Sequence, residues 1–252
     1  GPIDLAFCED VKRRFDAYCW QVQSVDGDGN DKEAISKAIM TAQKEASVPS
    51  LIIVRTHIGY GSPNRQDTAK AHGEPLSLDE VRLTKENLGW PLEPNFYIPE
   101  GVLGHFRKAV ERGGAVEAEC QARFDAYRAK YPDLANELEQ AMNRKLPAGW
   151  DADIRRYQPK GSMATRQASG EVLNLIAPRL STLIGGSADL APSNNTYLKG
   201  MGDISAKDFS GRNIHFGVRE HAMGGVLNGM ALHGGVIPYG GTFLIFSDYM
   251  RP

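Results

Sequence analysis

The sequence predicts an α/β protein made of two parallel-sheet domains joined by a helical linker. Short unbroken apolar runs alternate with segments of helical periodicity, as strands covered on both faces by helices require. That alternation gives way to purely helical periodicity between residues 113 and 160, and it restarts at Gly161. A chain of 252 residues is also long enough for two modest domains with buried cores.

Val11, Phe15 and Tyr18 mark a first helix. Ile35, Ala38, Ile39 and Ala42 mark a second, with Asp31 where an N-cap acceptor belongs. Leu51–Val54 is a continuous apolar run suited to a doubly covered strand. Ser77 and Glu80 have capping-box spacing at the start of the next helix, and Gly89 followed by Pro91 stops it. A loop rich in Gly, Pro and Asn therefore separates that strand from that helix. In the linker, Val116, Cys120, Phe124 and Tyr127, then Leu134, Leu138 and Met142, give two amphipathic helices, and Pro147 to Pro159 punctuates their end. Beyond Gly161 the pattern predicts helix 165–177, strands 182–186 and 213–217, helix 219–232 and strand 236–239. The expected domains are thus 1–112, 113–160 and 161–252.

Composition narrows the function. Charged residues make up 24% with a net charge of −2 and both signs interspersed, which points away from nucleic acid and from membrane surfaces. Small-molecule chemistry is the reading left. Cys8, Cys19 and Cys120 are odd in number and lack CxxC spacing, so they are read as structural thiols of a reducing compartment rather than as a disulfide or zinc framework. No apolar run reaches the ~20 residues of a membrane helix. A soluble cytoplasmic protein is expected.

The most informative stretch runs from Asn213 to Pro252, because it sets Glu220 at a strand-to-helix junction. Strand ends that open into helices are where α/β folds place chemistry. The positive end of the helix favours an ionised carboxylate there, whereas burial against a heterocycle would raise its pKa and let it exchange a proton with a ring nitrogen. Phe243, Phe246 and Tyr249 follow at i, i+3 and i+6, the spacing of an aromatic stripe.

Four motifs in order, IGYGSPNRQDTAKAHGEPL with LTKENLGWP, GGSADLAPSN, GVREHAM and PYGGTFLIFSDYMR, resemble the transketolase family. The resemblance covers essentially the whole chain. It implies the end of a diphosphate-binding domain followed by the start of a pyrimidine-binding domain, both serving thiamine diphosphate. The implied reaction moves a two-carbon ketol unit from a ketose phosphate to an aldose phosphate through a thiamine-diphosphate carbanion, as in the pentose phosphate pathway or the Calvin cycle. A homodimer with the active site at the subunit interface is implied, with Mg2+ or Ca2+ anchoring the cofactor through ligands outside this segment.

Residue by residue, the resemblance makes Glu220 the partner of the aminopyrimidine ring nitrogen and Phe246 the ring stacked on that heterocycle. Phe243 and Tyr249 become pocket wall, and Asp189 and Leu190 cofactor-facing residues at the interface. His72, in the HG motif, becomes a contact for the diphosphate or the substrate hydroxyls. Arg166 in MATRQAS and Ser193 in APSN become the holders of the substrate phosphate. His57 stands where relatives carry a small or aliphatic residue and is read as structural; His105 is read as a solvated helix residue. Cys19 replaces a glycine usual in the family. The first and last residues read as those of an internal segment, so the piece alone is expected to be inactive. Dihydroxyacetone synthase and phosphoketolase share the cofactor and are the nearest rivals; a non-catalytic half-protein of assembly or regulation is the rival of another class.

Overall fold

The computed structural model describes residues 5–25, 27, 29–159 and 161–252. The chain forms two compact units, Gly1–Arg107 and Lys108–Pro252.

In the first unit Asp10 caps α1 (Val11–Ala17) by accepting from the Arg13 N–H. The chain then enters β1 (Gln21–Val25), α2 (Lys32–Lys44) and β2 (Ser50–Val54). Asp31 caps α2 as expected, its carboxylate taking the Glu33 and Ala34 N–H groups at 3.0 Å each. β1 and β2 pair in parallel, Gln21 opposite Ser50 through Val25 opposite Val54. Sequence periodicity missed β1, because Gln21, Gln23 and Ser24 leave only two apolar residues, and a parallel partner rather than local pattern makes it a strand. Two short helices follow, α3 (Lys70–Gly73) and then α4 (Leu78–Asn87).

Two details of this unit correct the sequence reading. Ser77 does cap α4, accepting from the Glu80 N–H at 3.2 Å, but the Glu80 side chain does not return to the cap. It is buried and reaches Ser62 and Asn64 instead, so the capping box is half formed. Tertiary donors outcompete a local one. Cys8 and Cys19 are free and exposed, as is Cys120 of the second unit, so none fills a core as a packed structural thiol. Cys19 sits just past the end of α1 with a left-handed φ of 61°. That is the position at which a glycine usually ends a helix.

The second unit opens on α5 (Val102–Lys130), whose first turns lie in the first unit's span, and on α6 (Pro132–Met142). α5 has no buried residue, so its apolar positions Leu103, Phe106, Val110 and Val116 are exposed, as is His105. Past the 3-10 turn Ile154–Arg156 come α7 (Thr165–Ile176), β3 (Leu183–Ser187), the single turn α8 (Ala191–Asn194), β4 (Asn213–His215), α9 (Glu220–His233) and β5 (Ile237–Gly241). Lys160, the last residue of the expected linker, lies outside the described residues.

β3 is central in a parallel sheet of order β4-β3-β5, with Gly185 opposite both Asn213 and Tyr239. Glycine is required there, since a Cβ on Gly185 would lie 1.9 Å from the Tyr239 carbonyl oxygen. Beneath the sheet Ala177, Leu180, Leu183 and Leu198 are buried together, with Trp150, Leu173 and Ile237 packed against them. Tyr239 joins this core and donates its hydroxyl to the Thr196 carbonyl at 2.8 Å; burial pushes its phenol up to about 12. Asn213, also buried, exchanges hydrogen bonds with the Leu198 backbone at 2.8 and 3.0 Å and donates to Gly202 at 2.9 Å. A second device closes α9: Arg144 donates to the Ala231 and Leu232 carbonyls, putting a cation at the helix's negative end.

Candidate active site

The C-terminal ends of β3, β4 and β5 deliver the residues singled out in the sequence. β3 runs through Ser187 into Ala188-Asp189-Leu190, and Asp189 turns the chain with a left-handed φ of 62°. Short polar side chains tolerate that conformation best. The turn is braced from below by the buried Ser187 hydroxyl. It donates to the Gly241 carbonyl at 2.9 Å and accepts from the Leu190 N–H at 3.2 Å and from Asn194 Nδ2 at 2.7 Å. One hydroxyl thus ties the end of β3 to the end of β5 and to α8. Sequence reasoning missed Ser187 and Asn194, because nothing in a lone Ser or Asn signals a buried junction.

Glu220 is the first residue of α9 and is half-buried. The Arg219 carbonyl accepts the Met223 N–H at 2.8 Å to start the helix, and the Arg219 guanidinium donates to the Phe216 carbonyl at 3.1 Å. The helix's positive end therefore opens beside the Glu220 carboxylate.

After β5 the chain enters a 3-10 helix, Leu244–Tyr249. Three residues per turn bring positions i and i+3 into line. The spacing noted in the sequence thus becomes a real stripe: the Phe246 and Tyr249 rings stack 6.2 Å apart at 28°, and Phe243 stands at the N-cap. A groove of about 430 Å3 is lined by Ala188, Asp189, Leu190, Val218, Glu220, Phe246 and Tyr249. Five of the nominated residues meet there. Phe243, half-buried, is not among them. Next to it the buried Thr242 hydroxyl oxygen has no hydrogen-bond partner among the described residues.

The remaining candidates lie elsewhere. Arg166 is the second residue of α7 and Ser193 lies in α8; both side chains are exposed and neither lines the groove. His72 is exposed in α3 of the first unit. His57 pairs through Nδ1 with the Asp67 carboxylate at 2.9 Å, closing the base of the loop that precedes α3. Among the described residues no three His, Cys, Asp or Glu side chains gather as a metal ion would need. A Gly-Asp-Gly-Asn string does occur at Gly27–Asn30, after β1, but its Asp28 lies outside the described residues.

The residues present fit an aminopyrimidine: a flat heterocycle can lie on the Phe246 ring while a ring nitrogen meets the Glu220 carboxylate in the same groove. Residues 1–147 match the family profile "Transketolase, thiamine diphosphate binding domain", and residues 161–252 match "Transketolase, pyrimidine binding domain". The chain is 49% identical over 253 aligned residues to a transketolase of Geobacillus stearothermophilus, covering 100% of this chain and 38% of that protein. It is 50% identical to that of Aquifex aeolicus, covering 100% of this chain and 36% of the relative. The chain therefore spans little more than a third of these relatives' length. Among solved structures, transketolase from Leishmania mexicana superposes with a TM-score of 0.90 at 35% identity, covering 99% of this chain and 37% of the other. A Pichia stipitis transketolase complexed with sedoheptulose 7-phosphate superposes at 0.88 with 39% identity, covering 98% and 38%. With residues 1–147 and 161–252 both matched by its profiles, this chain belongs to the transketolase family.

Proposed function

We propose that the chain is the part of a transketolase that holds thiamine diphosphate and helps move a two-carbon ketol unit from a ketose phosphate to an aldose phosphate. The observation that carries this is the shared groove: Glu220, at the positive end of α9, lies with Phe246 and Tyr249 in one cavity within the span matched by the pyrimidine-binding profile.

Thiamine diphosphate, when bound, supplies the ring carbon that takes up and passes on the two-carbon unit. The chain's own residues do the rest. Glu220 holds a proton between its carboxyl oxygen and a pyrimidine ring nitrogen, while Phe246 fixes the plane of the heterocycle and Tyr249 walls the groove. Asp189 and Leu190 face the cofactor at the subunit interface, and Phe243 adds to the pocket wall. Arg166 and Ser193 hold the substrate's terminal phosphate, and His72 contacts the diphosphate or the substrate hydroxyls. Mg2+ or Ca2+, held by ligands outside this segment, would complete the diphosphate anchor. The sugar phosphate in the Pichia relative supports the substrate class.

The assembly we propose is a homodimer in the cytoplasm, with 1–112 as the end of the diphosphate-binding domain, 113–160 as linker and 161–252 as the start of the pyrimidine-binding domain. No helix among the described residues is long and apolar enough to cross a membrane.

Glu220→Gln tests the reading in the complete protein. The variant keeps its fold and its far-UV circular dichroism but loses more than the ~10²–10⁴-fold in turnover that a positioned proton donor supplies. Wild-type turnover with a ketose donor at saturating cofactor would refute it.

A further inference from the structure

The first unit contains a buried carboxylate that the proposed chemistry does not use. Glu80, in the first turn of α4, is 6% exposed and makes no ion pair among the described residues. One oxygen, Oε1, accepts from the Ser62 hydroxyl and from the Asn64 backbone N–H at 2.9 Å; the other, Oε2, accepts from Asn64 Nδ2 at 2.9 Å. Capping α4 needs none of these bonds, since Ser77 already does it. Burying a carboxylate is costly unless its oxygens are satisfied, so three donors converging from one loop mark a built junction.

The same helix grips that loop at its other end, where Asn87 Nδ2 donates to the Gly61 carbonyl at 2.9 Å. Gly61 also donates its N–H to Gln66 Oε1 at 2.9 Å, and with a φ of 83° it lies against Leu88, where a Cβ would come within 2.5 Å of Cδ2. From the clamped residues the path to α3 is short. The Ser62 N–H donates to the Gly59 carbonyl at 3.0 Å, and Gly59 lies so close to Ala71 that a Cβ would stand 3.1 Å from the Ala71 methyl group. Ala71 is the neighbour of His72.

We infer that Glu80 is a positioning residue, which holds the Gly59–Asn64 turn through Ser62 and Asn64 and so fixes where α3 presents His72. The inference rests on the proposed role of His72 at the cofactor or substrate.

The test is a double-mutant cycle in the complete enzyme, paired with amide hydrogen exchange of the cofactor-free protein. Glu80→Ala lowers kcat/KM for a ketose phosphate on the order of tenfold or more, and His72→Ala does likewise. The double variant is no worse than the poorer single one. Exchange of the Asn64 amide speeds up on the order of tenfold or more in Glu80→Ala, while amides of β1 and β2 keep wild-type protection. Glu80→Gln, which keeps an oxygen acceptor for Ser62 and the Asn64 N–H, restores most of both readouts. Should Glu80→Ala fail to fold, Asn64→Ala takes its place in the cycle with the same expected result. If His72→Ala lowers kcat/KM but its effect multiplies with that of Glu80→Ala, the positioning role is overturned while the His72 reading stands. A His72→Ala enzyme indistinguishable from wild type overturns the His72 reading and this inference with it.

Discussion

Asn194 donates from Nδ2 to the Ser187 hydroxyl oxygen at 2.7 Å, joining α8 to the end of β3 in a buried contact. The Asn194 Oδ1 accepts from the Thr196 hydroxyl at 2.7 Å, and the Ser187 hydroxyl donates to the Gly241 carbonyl at 2.9 Å. A chain of hydrogen bonds thus runs beneath the wall of the groove.

Removing a link strands its partners away from water. Asn194→Ala is expected to cost about 1–3 kcal/mol, the penalty for leaving a buried polar group unpaired. Urea denaturation of the second unit's core, followed by Trp150 fluorescence, measures it. A change below a few tenths of a kcal/mol would show that the network carries no stability.

Cys19 holds a left-handed φ of 61° at the end of α1, where its N–H donates to the Asp16 carbonyl at 2.9 Å. A side chain in that conformation costs roughly 1–2 kcal/mol that glycine avoids. Glycine's greater freedom when unfolded takes back part of the gain. Cys19→Gly should therefore stabilise the first unit by about 1 kcal/mol, and chemical denaturation reads the shift directly.

Glu80 sets an acid limit on the first unit. Hydrogen bonds from Ser62, then from the Asn64 side chain and backbone, hold its carboxyl below the ordinary value of 4.5 against the opposing effect of burial. The folded state therefore binds its proton less readily than the unfolded state. The resulting stabilisation is complete above about pH 4.5 and is lost as the pH falls through the depressed folded value. Glu80→Gln should flatten the stability profile below about pH 4.5 while lowering stability at neutral pH. Thermal unfolding at a series of pH values checks both.

Arg166 and Ser193 make a prediction about substrates. A guanidinium can grip two phosphate oxygens at once, and a charge-assisted bond is worth ~1.5–3 kcal/mol. Arg166→Ala in the complete enzyme should raise KM for phosphorylated donors on the order of ten- to a hundredfold, lower kcat less, and leave non-phosphorylated donors nearly unchanged. Equal losses with both kinds of donor would move Arg166 to the cofactor or to an interface.

How much of this was legible depends on how local each signal is. Helix caps and periodicities are local: Asp31 and the apolar spacing of α2, and the strand-to-helix change that puts Glu220 at the head of α9, are written within a few residues. The stripe of Phe243, Phe246 and Tyr249 was visible as spacing, although only the 3-10 geometry explains why a three-residue repeat lines up. The motifs carried the family.

Tertiary structure decided what depends on distant partners. β1 is a strand because β2 lies beside it, since its own residues are too polar to demand one. Glu80 and Ser77 have the spacing of a capping box, but donors at Ser62 and Asn64 claim the carboxylate once the loop folds onto α4. Ser187 and Asn194 carry no pattern at all; they matter because three chain segments converge on one buried hydroxyl. A sequence records the groups each residue can offer, but a buried polar atom must take whichever partner the packed chain puts within reach, and that choice is made only in three dimensions.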